Sequence, residues 1–225
     1  TDAIDLNNLL ELDKWILEEF KDLQKDVLGH YESYSYHLVV QRIHNFCVNQ
    51  LGGVYLDIIK DRQYTTQQNS EIRRSAQTAM KLMIDQLVIL VAPILSFTAE
   101  EIWQNDADLK ANKASVFLAE LDSIPDFDSN LDHESWSRLL EIKDSVNQKI
   151  EESRNAGEIK GSLDTNIELT VNTSDFQLLK NLSTELHFFF IVSACNLVEG
   201  DNLEVRIKQS TFEKCTRCWH RNNSV

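Results

Sequence analysis

The chain has 225 residues, 42% of them hydrophobic, a formal net charge of -14, four cysteines, two prolines and six glycines. That length and apolar content allow a sizeable core and one or two domains. No stretch approaches the roughly 18 uninterrupted apolar residues of a membrane span, and no basic-then-apolar start resembles a signal peptide, so the reading is a soluble, cytoplasmic protein. A strongly acidic chain binds phosphates poorly, because nucleic-acid binding needs Lys and Arg to displace counterions. The charge is uneven, however. Thr98 to Ser135 holds ten acids against Lys110 and Lys113, whereas Ile58 to Ser75 and Thr211 to Val225 each carry a small excess of cations. Any anionic partner is expected at those two places.

In chain order, Leu9, Leu12, Ile16, Phe20, Leu23 and Val27 follow the three-and-four spacing of one helical face, with Gly29 as the expected stop. A second stripe runs through Tyr36, Val40, Ile43, Cys47, Leu51, Val54 and Ile58, and a third through Ile72, Ala76, Met80, Met83, Leu87, Leu90 and Ile94 after Asn69 or Ser70 as cap. Gly52-Gly53 inside the second stripe costs on the order of 1 kcal/mol each relative to Ala and predicts a kink or close helix crossing. Pro93 should bend or end the third helix, and Thr98 with Glu101 reads as a capping box for a short helix through Trp103. Three such stripes predict an antiparallel helical bundle.

Asn105 to Glu134 loses periodicity, gains acids and contains Pro125, the marks of a surface connector. Trp136, Leu139, Ile142, Val146 and Ile150 open another helix. Beyond Gly157 and Gly161 the period changes: Ile167 to Val171 and Leu203 to Ile207 alternate as strands do, Asp175 to Leu186 reads as helix, and the apolar run Phe188 to Ser193 suits a central strand. The expected fold is mainly α: a helical bundle over 1–108, an acidic connector over 109–133, a small α/β domain over 134–210 and an incomplete zinc knuckle over 211–225.

Glycine-rich phosphate loops, a Gly-x-Ser-x-Gly elbow and a His-Glu-x-x-His pair are all missing from the sequence, and no catalytic centre is predicted. His37 and His44, seven apart, read as ordinary helical histidines. Cys47 and Cys195 sit alone in apolar segments and read as reduced thiols. Cys215 and Cys218 differ, since a Cys-x-x-Cys turn presents two sulfurs to one ion and so supplies half of a tetrahedral zinc site. Trp219 beside Arg217 offers an aromatic plane and a guanidinium fork, the pairing that holds unpaired RNA bases by stacking and edge hydrogen bonds. A start at Thr1 and a stop soon after half a metal motif predict that the sequence continues in a longer protein.

Several segments then converge on one family. Gln41-Arg42-Ile43-His44-Asn45-Phe46-Cys47, Tyr55 to Tyr64, Arg73 to Ala79 and Ala92 to Trp103 resemble the anticodon-binding helical bundle of bacterial-type isoleucyl-tRNA synthetases. Arg154 with Ile159-Lys160-Gly161-Ser162-Leu163 resembles the junction that follows it, and Lys214 to His220 resembles the opening of the C-terminal zinc finger. The resemblance implies a tRNA-recognition piece of an enzyme that joins isoleucine to tRNA(Ile) using ATP, acting as a monomer with the remainder of the synthetase chain as its other partner. The ATP and magnesium sites belong to a catalytic part whose signatures are absent here, as is the editing domain. By the same resemblance Arg217 and Trp219 are expected anticodon contacts, with Lys214 beside them, and Cys215 and Cys218 are expected zinc ligands. Lys60, Arg62, Arg73 and Arg74 are further tRNA-binding candidates, chosen mainly on charge. The competing reading is an acidic helical module that binds a protein partner and carries a zinc-binding tail.

Overall fold

A computed structural model describes residues 3–182, 185–221 and 223. They form two compact units, one of residues 1–57 and 68–128, the other of residues 58–67 and 129–225.

The first unit is the helical bundle that the stripes predict. Helix α1 (Glu11–Glu32) buries Leu12, Ile16, Phe20, Leu23 and Val27 against α2 (Tyr36–Asn45) and α4 (Glu71–Val91). Gly29 does not stop α1, which runs three residues further to a turn at Ser33. Buried polar groups fix the register: the Asp13 carboxylate, fully enclosed, accepts from Tyr55 Oη at 2.7 Å and from Ser75 Oγ at 2.5 Å. Leaving any of the three unpaired would cost about 1–3 kcal/mol, so α1, α4 and the segment carrying Tyr55 are held in one alignment.

The second stripe differs from its expected form. Residues Phe46–Leu56 are a π-helix, not a continuation of α2, and the buried residues there are Val39, Phe46 and Tyr55, while Val40 is half exposed. A five-residue hydrogen-bond repeat advances the buried face differently from a 3.6-residue one, so the α-period assigns the wrong side chains to the core. Gly52 and Gly53 fit this geometry. A Cβ on Gly52 would stand 2.9 Å from Cys47 O, and one on Gly53 3.0 Å from Val48 O, in each case the carbonyl five residues back. The predicted kink is thus a widened helical turn.

Pro93 follows the end of α4 at Val91, as read from sequence, and α5 (Ser96–Asn105) comes next with Leu95, not Thr98, at its N-cap. Thr98 is already inside the first turn, so the capping box does not form. The acidic connector is more ordered than expected, with α6 (Ala107–Asn112) and a 3-10 turn at Val116–Leu118. Leu109 and Val116 close a satellite core with Val88, Ala99 and Trp103, and Trp103 Nε1 donates to Lys113 O at 2.8 Å. The rest of the connector lies along α1 and α4 through Gln24 Nε2 to Asp122 O (3.1 Å) and Asp122 N to Gln86 Oε1 (2.9 Å).

The second unit contains α3 (Asp57–Thr65) from Ile58 onward, α7 (His133–Asn155) and a three-stranded sheet. Asp132 caps α7 by accepting from Ser135 N at 2.9 Å, and the helix buries the whole predicted stripe from Trp136 to Ile150. Strand order is β2-β1-β3, with β1 (Thr165–Val171) central, parallel to β2 (Ala194–Glu199) and antiparallel to β3 (Glu204–Gln209). The parallel pair is joined through α8 (Thr173–Lys180) and α9 (Leu186–Phe189). A bidentate pair from Arg138 to Asp175, at 3.0 and 2.8 Å, ties α7 to α8 and holds the Asp175 carboxyl below the usual carboxylate range.

Phe188 to Ser193 is not the central strand its apolar run suggests. It forms the end of α9 and a turn, with Ile191 at φ 54°, and packs Phe189, Phe190 and Val192 into the core. A continuous apolar run marks burial on all sides, which a plug of short helix satisfies as well as a strand does. The buried Lys143 ammonium stabilises that plug by donating to Phe189 O at 2.5 Å.

Candidate nucleic-acid interface

The interface candidates in the second unit are presented by a tight turn closed by a bridge between Lys214 and Arg221. Cys215 N donates to His220 O at 2.9 Å and Trp219 N to Cys215 O at 3.0 Å, which curls residues 215–219 into a knuckle. The curl requires Trp219 in the left-handed region, at φ 64°, an uncommon conformation for a bulky residue and one that clusters at functional positions. Its consequence is that the indole stands 61% exposed instead of covering the knuckle. Lys214 Nζ lies 5.2 Å from the indole centroid, a cation–π contact on the ring.

The flanks are anchored while the tip is open. Arg221 Nε donates to Asp164 Oδ1 at 2.6 Å, its backbone N–H to Ser193 Oγ at 2.7 Å and its Nη1 to Phe212 O at 2.9 Å. His220 is buried, with Nε2 3.2 Å from Asp61 Oδ2 on α3. Arg217 is exposed and makes no ion pair among the described residues. Lys160, just before a 3-10 turn at Ser162–Asp164, and Lys208 on β3 share that state, and sequence reasoning missed both as binding candidates. Isolated lysines carry no motif, and only the fold places Lys208 opposite Asn166 on the side of β1 that carries its half-exposed residues.

The two cysteines are half-buried in the knuckle. Backbone N–H groups of Cys218 and Arg217 point at the Cys215 sulfur and pull its thiol below the ordinary cysteine value, whereas burial pushes Cys218 up. Amide donors aimed at a sulfur suit a metal-bound thiolate. The donor set stops at two: no group of three or more His, Cys, Asp or Glu that could hold a metal occurs among the described residues. Cys215 and Cys218 alone do not complete a tetrahedral zinc site.

The charge-chosen candidates divide. Lys60 is exposed on α3, beside the Asp61 that meets His220. Arg62 requires correction, because its side chain is fully buried and ion-paired with the equally enclosed Glu185, leaving no guanidinium for a phosphate. Net charge along a sequence cannot tell a solvated cation from one turned inward. Arg73 and Arg74 belong to the first unit, in the first turn of α4. Arg74 spends its guanidinium on Gln68 O (3.2 Å) and Asn69 Oδ1 (2.8 Å), and Arg73 is half-buried.

Beside the knuckle is a cavity of about 400 Å³ lined by His187 and Phe188 from α9, by Thr65, Ser193 and Cys195, and by Cys218 and His220. Burial, with His220 and Arg62 nearby, lowers the His187 pKa to about 4, so its ring is neutral at physiological pH. Burial also pushes the Cys195 thiol up to about 12, an unreactive state. No sequence signal foretold this group, since its members come from four separated segments. No helix among the described residues is long and apolar enough to cross a membrane.

Residues 13–169 match the family model described as the anticodon-binding domain of tRNA ligase. Over its whole length the chain is 40% identical to isoleucine–tRNA ligases of Legionella pneumophila and Saccharophagus degradans, and over 97% of its length 41% identical to that of Dichelobacter nodosus. It spans about a quarter of the length of these relatives. More than half of the chain is thus covered by a single family description, and the chain belongs to the family of anticodon-binding domains of tRNA ligases.

Proposed function

We propose that this chain is the anticodon-reading part of a bacterial isoleucine–tRNA ligase, whose full-length form attaches isoleucine to tRNA(Ile) in the cytoplasm. The similarity to isoleucine–tRNA ligases along the entire chain carries this reading. The described geometry supports it at one place: Trp219 stands out of the knuckle with Lys214 against its ring and Arg217 unpaired beside it. An unstacked base would lie on the indole, and stacking of this kind contributes about 1–3 kcal/mol per base. The Arg217 fork would reach a base edge or a phosphate. Lys214, Lys60, Lys160 and Lys208 would neutralise backbone charge.

Cys215 and Cys218 would hold two positions of a structural zinc ion, with the remaining ligands supplied from outside the described residues. Zinc would stiffen the turn that presents Trp219. Aminoacylation with ATP and magnesium would take place elsewhere in the ligase. A protein-docking module with a zinc tail is the weaker reading, because it accounts for neither the family match nor the exposed indole.

The test is titration of the protein at low salt with a tRNA anticodon hairpin carrying an isoleucine anticodon and with one carrying a changed anticodon. We expect tighter binding of the first and a steep loss of affinity with added salt. Equal affinities would remove the anticodon-reading role.

A further inference from the structure

We infer that the cavity beside the knuckle is a neutral slot for a single unstacked RNA base. This rests on the reading of the chain as RNA-binding and adds to it a site separate from the exposed Trp219. The walls are rings. His187 and Phe188 lie 4.1 Å apart between centroids, and His220 stands edge-on to both, at 5.8 and 5.9 Å. Packed on one another, the three rings make one aromatic wall against which a flat ligand can lie, and at about 400 Å³ the cavity beside them is at the small end of ligand-sized pockets.

Charge decides which part of a nucleotide it takes. Of the charged side chains that act on His187, Arg62 is paired with Glu185 and Asp61 is engaged with His220. A phosphate would enter without a counter-charge, at a large desolvation cost. A neutral base enters without that cost. The unpaired Arg217 and the Trp219-bound Lys214 lie outside the cavity lining, where a strand's phosphates would run.

The slot also has an unused polar group aimed at an occupant. The His187 ring nitrogens make no hydrogen bond among the described residues, although the side chain is largely enclosed and lines the cavity. A neutral imidazole offers one donor and one acceptor, the pattern presented by base edges. The neighbouring polar groups are already committed: Ser193 Oγ donates to Leu163 O at 2.5 Å, and Thr65 Oγ1 to Asp61 O at 2.6 Å. The walls are fixed in advance by Val192 N to His187 O at 2.9 Å and by the hold of Asp61 on His220, so little ordering accompanies binding. Among the described residues no three His, Cys, Asp or Glu groups converge here, and of the cavity lining only Cys218 belongs to the proposed zinc pair.

The experiment measures binding of the wild-type protein, Phe188→Ala and His187→Asn to an anticodon hairpin and to versions in which each loop base in turn is replaced by an abasic site. For the wild type, one loop position should cost about tenfold in affinity when its base is removed. In Phe188→Ala the same removal should cost less than twofold, with the salt dependence of binding unchanged. His187→Asn, which removes the imidazole and leaves the Phe188 ring in place, should show a partial loss at that same position and serves if Phe188→Ala does not fold. If every base removal costs both variants what it costs the wild type, the slot is empty of RNA and the inference fails while the anticodon reading stands. If the wild type binds none of these hairpins, both fail.

Discussion

Arg62 and Arg217 belong to the same unit and both read as tRNA contacts from the sequence, Arg217 by resemblance and Arg62 mainly on charge, yet they occupy opposite situations. Arg62 is sealed against Glu185 inside the unit, and Arg217 stands unpaired at the tip of a turn. The difference lies in what each local segment must bury. Helix α3 turns Ile58, Ile59 and Arg62 inward, so the guanidinium is enclosed and must be matched. The knuckle buries His220 and half-buries Cys215 and Cys218, and its curled backbone leaves Thr216, Arg217 and Trp219 in solvent. On the proposed reading interior charge sets stability and tip charge sets contact, and that division can be attacked from both sides.

The largest effect is expected at the interior arginine. Arg62→Ala leaves the Glu185 carboxylate buried without its partner and should cost about 3–5 kcal/mol, read from urea denaturation midpoints at constant m-value. Replacing the pair together, Arg62→Met with Glu185→Leu, should recover most of that loss, because an apolar pair of similar volume removes both desolvation costs. A loss below about 1 kcal/mol in the single variant would mean that the pair is hydrated, and the contrast with Arg217 would collapse.

A smaller effect on the interior side comes from His187. Its ring stays neutral in the folded protein down to about pH 4, while in the unfolded chain it gains a proton near its ordinary value of 6.5. Between those values the unfolded state binds more protons, so stability rises with pH across the window and is lost as pH falls through it. With part of the ring still reached by solvent, the loss should be about 2 kcal/mol between pH 7 and pH 4. His187→Asn should flatten that part of the profile. An unchanged slope in the variant would show that the proton is taken up in the folded protein too.

Much of this architecture was legible in the sequence, and the failures have physical reasons. The stripes of α1, α4 and α7 and the alternation of β1 and β3 were visible because each element buries one face at its own period. The π-helix was not, because a 3.6-residue template finds a plausible stripe through Val40 and Cys47 even where Phe46 and Tyr55 go inside. The run from Phe188 to Ser193 was misread because continuous apolarity reports burial and not conformation. Among the interface candidates, Cys215, Cys218, Arg217 and Trp219 could be grouped from the sequence because one short turn holds them all. The ring-lined cavity was unreadable because Thr65, Phe188, Cys195 and His220 meet only after the chain has folded.

Gly52 tests the interior from its backbone. In an ordinary exposed helical site Gly→Ala stabilises by about 1 kcal/mol. Here the new Cβ would stand 2.9 Å from the Cys47 carbonyl, part of the backbone itself, so Gly52→Ala should instead destabilise by about 1–2 kcal/mol and lower Tm. A stabilised variant would show that the segment is an α-helix in solution and that the stripe through Val40 was correct after all.

The tip should respond in the reverse sense. Arg217→Ala removes no buried contact and no ion pair among the described residues, and the hydrogen bonds from Cys215 N and Trp219 N do not depend on that side chain. Stability should therefore stay within about 0.5 kcal/mol of the wild type. Hairpin affinity at low salt should fall about tenfold, and if the fork rests on a phosphate the slope of log K against log salt should decrease by about 0.7. If it rests on a base edge, the slope should hold and discrimination between anticodons should shrink instead. Either pattern keeps the division between interior and tip. A variant that loses stability but binds RNA as the wild type does would place Arg217 with Arg62, as a residue of the fold.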